Sequence, residues 1–589
     1  MLKKLYKLGK YIPEEYFEDN PLGLNMSHTG GMVCVIQFSF NNDVFLYDKI
    51  TYEDYDAARN EYRYLFEELD SPNSTPAFPT YRVNKAGDKS IKEKTISALS
   101  KIKNSLNCYE RLKQITNCID ANIEELVLDI SEKVDYKESF LITLMINGQY
   151  LAEIDEVKNK VVNRTSEIYA KYYSNDKKYV GEQAVCSLCM LKKDEVWGYV
   201  SPYNFYAVKT EQSVVSGGFN VKNAWKNFPV CEDCAKKILK YKTAIKQRLS
   251  FNFYGFNYFL IPEVVLDKGN NKEFVDVLFN DQYGLLNLRK LKETNKLEDD
   301  LVDILKETNN SANFTLLFYE ENNAEFKIVL SIDDVFPSRF NSIFSAREYS
   351  ENNLLFKDLT FKDGIKDLKM SFGVIKHFFP SSKIEGDFSS YFLEIVRSIF
   401  IVKKVDYDFV INRIITKLRN KFVNEEYLFV DLLNSMLLIR FMNHLKLWNK
   451  KESIKEREVV MDSNKYNIFL DEHKEFFDNN TKKAIFLEGV LCQFLFNIQY
   501  SERNSTPFKS KLNGLKLDEK YIKKLLPEII NKLEEYDKNY YKDLETIISK
   551  YMLESTFDMT NDEISFYFVM GMNLAKEFRN EKEKNEEVN

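Results

Sequence analysis

Two Cys-x-x-Cys pairs constrain this chain more than any other feature. Cys186-Ser-Leu-Cys189 and Cys231-Glu-Asp-Cys234 stand 41 residues apart. Each pair can turn two sulfurs toward one point, and two pairs make four thiolates, the ligand set of a closed tetrahedral zinc site. Such pairs usually lie about 15–20 residues apart, so the longer spacing reads as an insertion between two halves of one site. The competing readings are two unrelated cysteine pairs, or one redox pair and one accident. A catalytic zinc keeps an open position beside His or water, and the one His before Pro262 is His28. Cys186, Cys189, Cys231 and Cys234 are therefore expected to hold a structural zinc.

The stretch around these pairs differs from the rest of the chain. Residues 181–262 carry 11 Lys and Arg against 6 Asp and Glu, whereas the whole chain has a net charge of −7. The insertion is rich in aromatic residues, from Trp197-Gly-Tyr-Val-Ser-Pro202 to Trp225-Lys-Asn-Phe228. The second pair leads into a basic helix expected over 235–250, followed by alternating residues Phe251–Pro262 that read as a strand. A basic, aromatic island in an acidic protein is a local footprint for nucleic acid; a solvated lysine helix beside an aromatic core reads equally well from composition. Lys192, Lys193, Lys222 and Lys226 are the candidate contacts, with Gly217 and Gly218 permitting close backbone approach.

A length of 589 residues implies several domains, and 44% hydrophobic content is enough for sizeable cores. Cys34, Cys108, Cys118 and Cys492 are scattered, as reduced thiols in a cytosolic protein would be. The N-terminal residues lack a long apolar run. The most apolar segment, 484–496, is interrupted by Glu488 and Gln493 and is too short to span a bilayer. The expectation is a soluble, cytoplasmic protein with no membrane partner.

Periodicity predicts an α+β, multidomain chain: a mixed N-terminal part carrying the four-cysteine zinc module, then a C-terminal helical bundle. The expected divisions are an α+β region over 1–180, the zinc module over 181–262, an α+β region with a hairpin over 263–384, and the bundle over 385–589. Met32–Phe40 and Val44–Tyr47 flank an Asn-Asn-Asp turn and predict a hairpin. Ile96, Leu99, Ile102 and Leu106 recur at helical spacing within a helical stretch over 90–134. Phe140–Ile146 reads as a buried strand, and 153–175 as a helix. Asn313–Tyr319 and Phe326–Ile332 predict a second hairpin. The bundle is expected as helices over 391–402, 407–422, 425–448, 483–500, 518–534 and 560–578, with Asp518 as an N-cap and Thr560 with Glu563 as a capping box.

No cluster of catalytic residues emerges. His28, His377, His444 and His473 form no H-E-x-x-H or His-Asp motif, and no phosphate-binding G-x-x-x-x-G-K-[ST] loop occurs. The pairs Asp333-Asp334 and Glu320-Glu321 read as solvated turns, with Mg²⁺ binding the sharper alternative. These residues predict a binding or scaffold protein, not an enzyme. Residues 503–526 hold seven Lys and Arg against Asp518 and Glu519. Lys509, Lys511, Lys516, Lys523 and Lys524 are the candidates there to line a groove for a displaced single strand.

Several motifs resemble one family. They are Cys186-x-x-Cys189, Gly198-Tyr-Val-Ser-Pro202, Gly217-Gly-Phe219 and Ala224-Trp-Lys-Asn-Phe-Pro-Val-Cys231-x-x-Cys234. Ser250-Phe-x-Phe-Tyr-Gly-Phe256, Asp334-Val-x-Pro-Ser-Arg339, Thr506-Pro-Phe508 and Phe568-Val-Met-Gly-Met-Asn-Leu574 add to them. Together they resemble the large subunit of type I-B CRISPR surveillance complexes (Cascade), from about Asp70 onward. The resemblance implies a guide RNA, target double-stranded DNA and its displaced strand as partners, with Cascade backbone and small subunits beside them. It implies recognition of the motif adjacent to the target, help in opening the duplex, and recruitment of a separate helicase–nuclease in antiviral defence. It further implies that the bundle is also made as a small separate protein, with Met461 as the candidate internal start. The alternatives are a zinc-stabilised scaffold without DNA contact and a stand-alone zinc-containing nuclease.

Overall fold

The structure, a computed structural model, describes residues 2–12, 31–68, 75–85, 90–134, 138–160, 180–198, 200, 221–264, 312–322, 325–361, 364–382, 386–451, 454–459 and 463–578. It is a mixed α+β architecture whose C-terminal half is helical. The chain divides into two compact units, Met1–Pro337 and Ser338–Asn589.

Among the described residues, the first unit holds two larger sheets and a two-stranded hairpin. One has the order β2-β1-β4-β3, with β5 paired to β4, built from β1 (Met32–Asn41), β2 (Val44–Asp54), β3 (Tyr81–Val83), β4 (Phe140–Ile146) and β5 (Gln149–Tyr150). The β1–β2 hairpin turns through Asn42 and Asp43, both at positive φ (49° and 61°), which short polar side chains tolerate best. Strand β1 runs parallel to β4, Val33 opposite Leu141. Its alternate residues enter two cores. Cys34, Ile36 and Phe38 pack toward the helices; Val33 and Val35 pack with Tyr64, Phe66 and Leu141. A strand covered on both faces has no polar alternation to show, which is why β1 and β4 read as continuous apolar runs.

Helices α2 (Ile91–Leu106), α3 (Ile115–Ala121) and α4 (Ile123–Lys133) cover this sheet. Ser90 and Glu93 form a full capping box at the start of α2. Leu99, Ile102 and Leu106 are buried as expected, but Ile96 is 47% exposed. Thr95 and Ala98 take the inward positions, so the buried stripe is offset by one residue from the predicted one. The expected helix over 153–175 lies mostly outside the described residues.

The second sheet is antiparallel with order β11-β10-β9-β8, from β8 (Ser250–Phe253), β9 (Phe256–Val264), β10 (Ala312–Asn322) and β11 (Glu325–Val335). The second predicted hairpin is β10–β11. The single strand read over Phe251–Pro262 is instead the tight hairpin β8–β9, turning at Tyr254 (φ 49°) and Gly255 (φ 93°). The apolar pattern continued through the turn because β8 is partly buried and β9 mostly buried, and Gly255 was the one break signal.

The second unit is helical: α6 (Pro337–Glu351), α7 (Phe372–Phe378), α8 (Ser389–Ile401), α9 (Tyr407–Val423), α10 (Phe429–His444), α11 (Lys465–Glu472), α12 (Asn480–Arg503), α13 (Glu519–Glu535), α14 (Lys542–Leu553) and α15 (Asn561–Leu574). The helix expected over 425–448 starts later, since Glu425 adopts φ 58°. Helices α6, α7, α11 and α14 were not foreseen. Asp518 caps α13 as expected. The Thr560–Glu563 box forms one way only: Thr560 accepts from the Glu563 N–H, while the Glu563 carboxylate turns inward. There it accepts from Tyr407 Oη at 3.1 Å and lies 3.6 Å from both Lys450 and Lys482. Two ammonium groups, the buried Lys482 and the partly exposed Lys450, outweigh one backbone N–H as a destination for a buried carboxylate.

Helices α12 and α15 cross at glycine. A Cβ on Gly489 would sit 2.1 Å from the Phe568 carbonyl oxygen, and one on Gly571 would sit 1.8 Å from that of Phe486. His377 Nε2 meets Asp431 Oδ1 at 2.8 Å, and Lys421 reaches the same carboxylate at 2.5 Å. These three residues join α7, α9 and α10, a grouping invisible in sequence order. Glu456, in a non-helical segment, accepts from the N–H groups of Thr481 (3.1 Å) and Thr556 (2.9 Å), covering the N-terminus of α12.

Candidate metal centre

Strands β6 (Val180–Val185) and β7 (Lys192–Trp197) form a hairpin whose loop is the first cysteine pair. Loop geometry follows from its backbone bonds. Cys186 N–H donates to Leu191 O at 3.0 Å and Met190 N–H to Cys186 O at 2.8 Å, with Met190 at φ 62°. The second pair opens helix α5 (Glu232–Leu249), with Cys231 at its N-cap and Cys234 in its first turn. Reciprocal bonds between Trp197 and Val230, at 2.7 and 2.9 Å, and Ser187 N–H on Pro229 O at 2.7 Å, clamp the two halves together.

The four sulfurs lie within 4.8 Å of one another, and Cys189 Sγ is 4.0 Å from Cys231 Sγ. A tetrahedral zinc with bonds of about 2.3 Å places its sulfurs about 3.8 Å apart. Cys186, Cys231 and Cys234 are buried, and no disulfide links the pairs. The residues fit a thiophilic, four-coordinate ion. The hydrogen bond with Cys234 and backbone N–H donors at Cys189, Cys231 and Leu188 pull the Cys186 thiol down to about 4, although burial opposes this. The same contact with Cys186, then burial, pushes Cys234 up. A bound cation would neutralise thiolates otherwise crowded in a buried space and would supply structural fastening there.

A residue that sequence reasoning missed completes the shell. Tyr6 Oη is hydrogen-bonded to Cys234 Sγ at 3.2 Å. Tyr6 belongs to α1 (Leu2–Gly9), which lays Leu2, Leu5, Tyr6 and Leu8 into the core shared by the cysteines, Trp197, Ile238, Phe259 and Leu317. Burial keeps the Tyr6 phenol protonated, so it can donate to a sulfur. The i, i+3, i+4 spacing of Leu2, Leu5 and Tyr6 was the available signal, but eight residues are too few to stand out. Asp333, one of the acidic pairs, helps hold α1. It accepts from Thr315 and Ser331, and Lys4 lies 3.4 Å away; Asp334 accepts from Asn313.

The candidate nucleic-acid contacts are placed as follows. Lys192 is exposed at the start of β7, and Lys193 pairs with Asp233 at 3.1 Å. Lys222 and Lys226 sit on the short 3-10 helix Val221–Lys226, where Lys226 lies over the Trp225 ring. Trp225 packs on Gly181, whose added Cβ would fall 2.4 Å from the ring. Gly217 and Gly218 lie outside the described residues. In the second unit Lys509 pairs with Glu425, Lys511 and Lys524 with Glu528, and Lys523 with Glu519; Lys516 is exposed. Glu425 and Glu528, from outside the counted stretch, thus offset part of its charge.

A family model described as CRISPR-associated protein TM1802 matches this chain in all three of its parts. Its N-terminal domain matches residues 1–163, its central domain 183–335 and its C-terminal domain 370–586. The chain belongs to this family of CRISPR-associated proteins. The central match contains the whole cysteine cluster. No curated protein matches the chain. Among the described residues, no helix is long and apolar enough to cross a membrane.

Proposed function

We propose that this chain is the large subunit of a type I-B, RNA-guided DNA surveillance complex. It recognises the motif beside the target, helps open the duplex, holds the displaced strand and recruits a helicase–nuclease supplied by another protein. It works without catalysing a reaction itself, in the cytoplasm, among backbone and small subunits assembled on a guide RNA. Base pairing reads the target, and protein surfaces read the adjacent motif and hold strands. The observation that carries this reading is the family match along all three domains, with the four-cysteine cluster inside its central part. A four-sulfur site leaves no open position for substrate or water, and we assign zinc as its ion. Co-expression of the tagged chain with the other proteins of its operon and a guide transcript tests the role. A stoichiometric complex containing the guide is expected; a chain that purifies alone, without RNA, in the presence of those partners would reject it.

A further inference from the structure

The tertiary structure brings together two basic helices that the sequence keeps more than 220 residues apart. Helix α1 carries Lys3, Lys4, Lys7 and Lys10 in or beside it and no acidic residue. It lies along α5, with Gly9 against the Tyr241 ring, 2.0 Å from where a Cβ would sit, and Tyr6 at Cys234. Lys3, Lys7 and Lys10 recur at i, i+4 and i+7 and are all exposed, on the side opposite the buried Leu2, Leu5 and Leu8. On α5, Lys237 is exposed one turn before Tyr241, the residue α1 touches. Among the described residues, carboxylates of α5 and the second sheet are otherwise engaged: Glu232 with Lys236, Asp233 with Lys193, Glu321 with Lys246, and Glu263 and Asp333 with Lys4. Among the described residues, no ion pair involves Lys3, Lys7, Lys10 or Lys237.

We propose that Lys3 and Lys7 of α1 and Lys10 just after it, with Lys237 of α5, form one composite surface that binds the phosphate backbone of a polynucleotide. Two helices side by side offer point charges along a line, the arrangement a repeating anion matches, and lysine suits phosphate as a flexible, unoriented charge. The surface reads no sequence. Its place beside the cysteine cluster means that one rigid core positions both helices. The inference rests on the nucleic-acid reading above and deepens it, because neither α1 nor its lysines figured among the expected contacts.

The test uses the full-length chain, with labelled single-stranded RNA, single-stranded DNA and duplex DNA, across a salt series. The triple variant Lys3→Glu/Lys7→Glu/Lys10→Glu is compared with Lys92→Glu/Lys113→Glu/Lys133→Glu, which changes the net charge equally at exposed sites on α2, beside α3 and on α4. The α1 variant should bind at least tenfold more weakly, and its log–log salt slope should fall by about 2–3, near 0.7–0.9 for each phosphate that is no longer neutralised. The control variant should keep the native slope. The probe whose slope falls identifies the polynucleotide. If the native chain binds and the α1 variant matches it, or if both variants weaken equally, this surface is overturned while the function stands. If polyglutamate of equal charge displaces the probe as well as an oligonucleotide does, the surface is one for an acidic protein. If the native chain binds none of the three probes, both readings fail.

Discussion

At the cysteines, each sulfur is worth more as part of the set than alone. Three of the four are buried, so removing one leaves the others without the ion that would neutralise them. Cys231→Ser should lose the metal, and the variant should unfold at a lower temperature than the native chain. Metal analysis of the pure native protein should give close to one zinc per chain; a stable, metal-free native protein would sink the assignment. Glu488 is a second residue with a measurable consequence. It is fully buried on α12, and neither carboxylate oxygen meets a partner among the described residues. Burial pushes its carboxyl well above the ordinary range, so the folded state holds a proton that the unfolded chain releases. Stability from this group is complete below the unfolded-state value and declines as pH rises toward the folded one, at about 1.4 kcal/mol per pH unit. Glu488→Gln should remove that decline. Thermal melts of the two proteins between pH 5 and 8 should diverge, the variant gaining as pH rises; parallel curves would show that Glu488 is solvated.

Among elements, the crossing of α12 and α15 depends on two backbones touching. Gly489→Ala in an ordinary helix interior would gain about 1 kcal/mol from helix propensity. Here the added carbon meets the Phe568 carbonyl at 2.1 Å, and an overpacked core loses about 1–3 kcal/mol or more. The clash wins, because a backbone carbonyl cannot rotate aside as a side chain tip can. Gly489→Ala should therefore lower the melting temperature by several degrees, and a neutral or stabilising result would refute the close crossing. The extra strand hidden in Phe251–Pro262 and the displaced stripe of α2 belong to this scale too. In both, the apolar period was real, but which residue turned or faced inward was settled by what packed against it.

The whole molecule bears on the separate product expected from Met461, a residue outside the described set. A chain starting there lacks Tyr407 and Lys450, partners of Glu563, and loses Asn412 and Arg419 from Asp562. It also lacks Glu456 at the start of α12. Expressed alone, 461–589 should melt well below 386–589, which keeps these partners; equal melting would mean that α8 to α10 contribute little. The start itself is tested by a C-terminally tagged gene, which should yield a short band beginning at Met461 that disappears when codons 455–458 are recoded synonymously.

Much of the molecule was legible because it rests on local chemistry. Paired Cys-x-x-Cys spacing announced four sulfurs at one point. The Asn-Asn-Asp turn announced the first hairpin, and Asp518 announced a helix start. Each signal is carried by residues adjacent in the chain, where backbone geometry alone dictates the outcome. Tertiary structure decided the rest. It turned Glu563 away from its cap toward Lys482 and Lys450, matched Lys509 and Lys524 with glutamates, and brought His377 to Asp431. Above all, it seated α1 beside the cysteines, with Tyr6 on Cys234. These are long-range choices, made by burial and by the need to pair buried charge, and a one-dimensional pattern cannot express which distant partner a side chain will find.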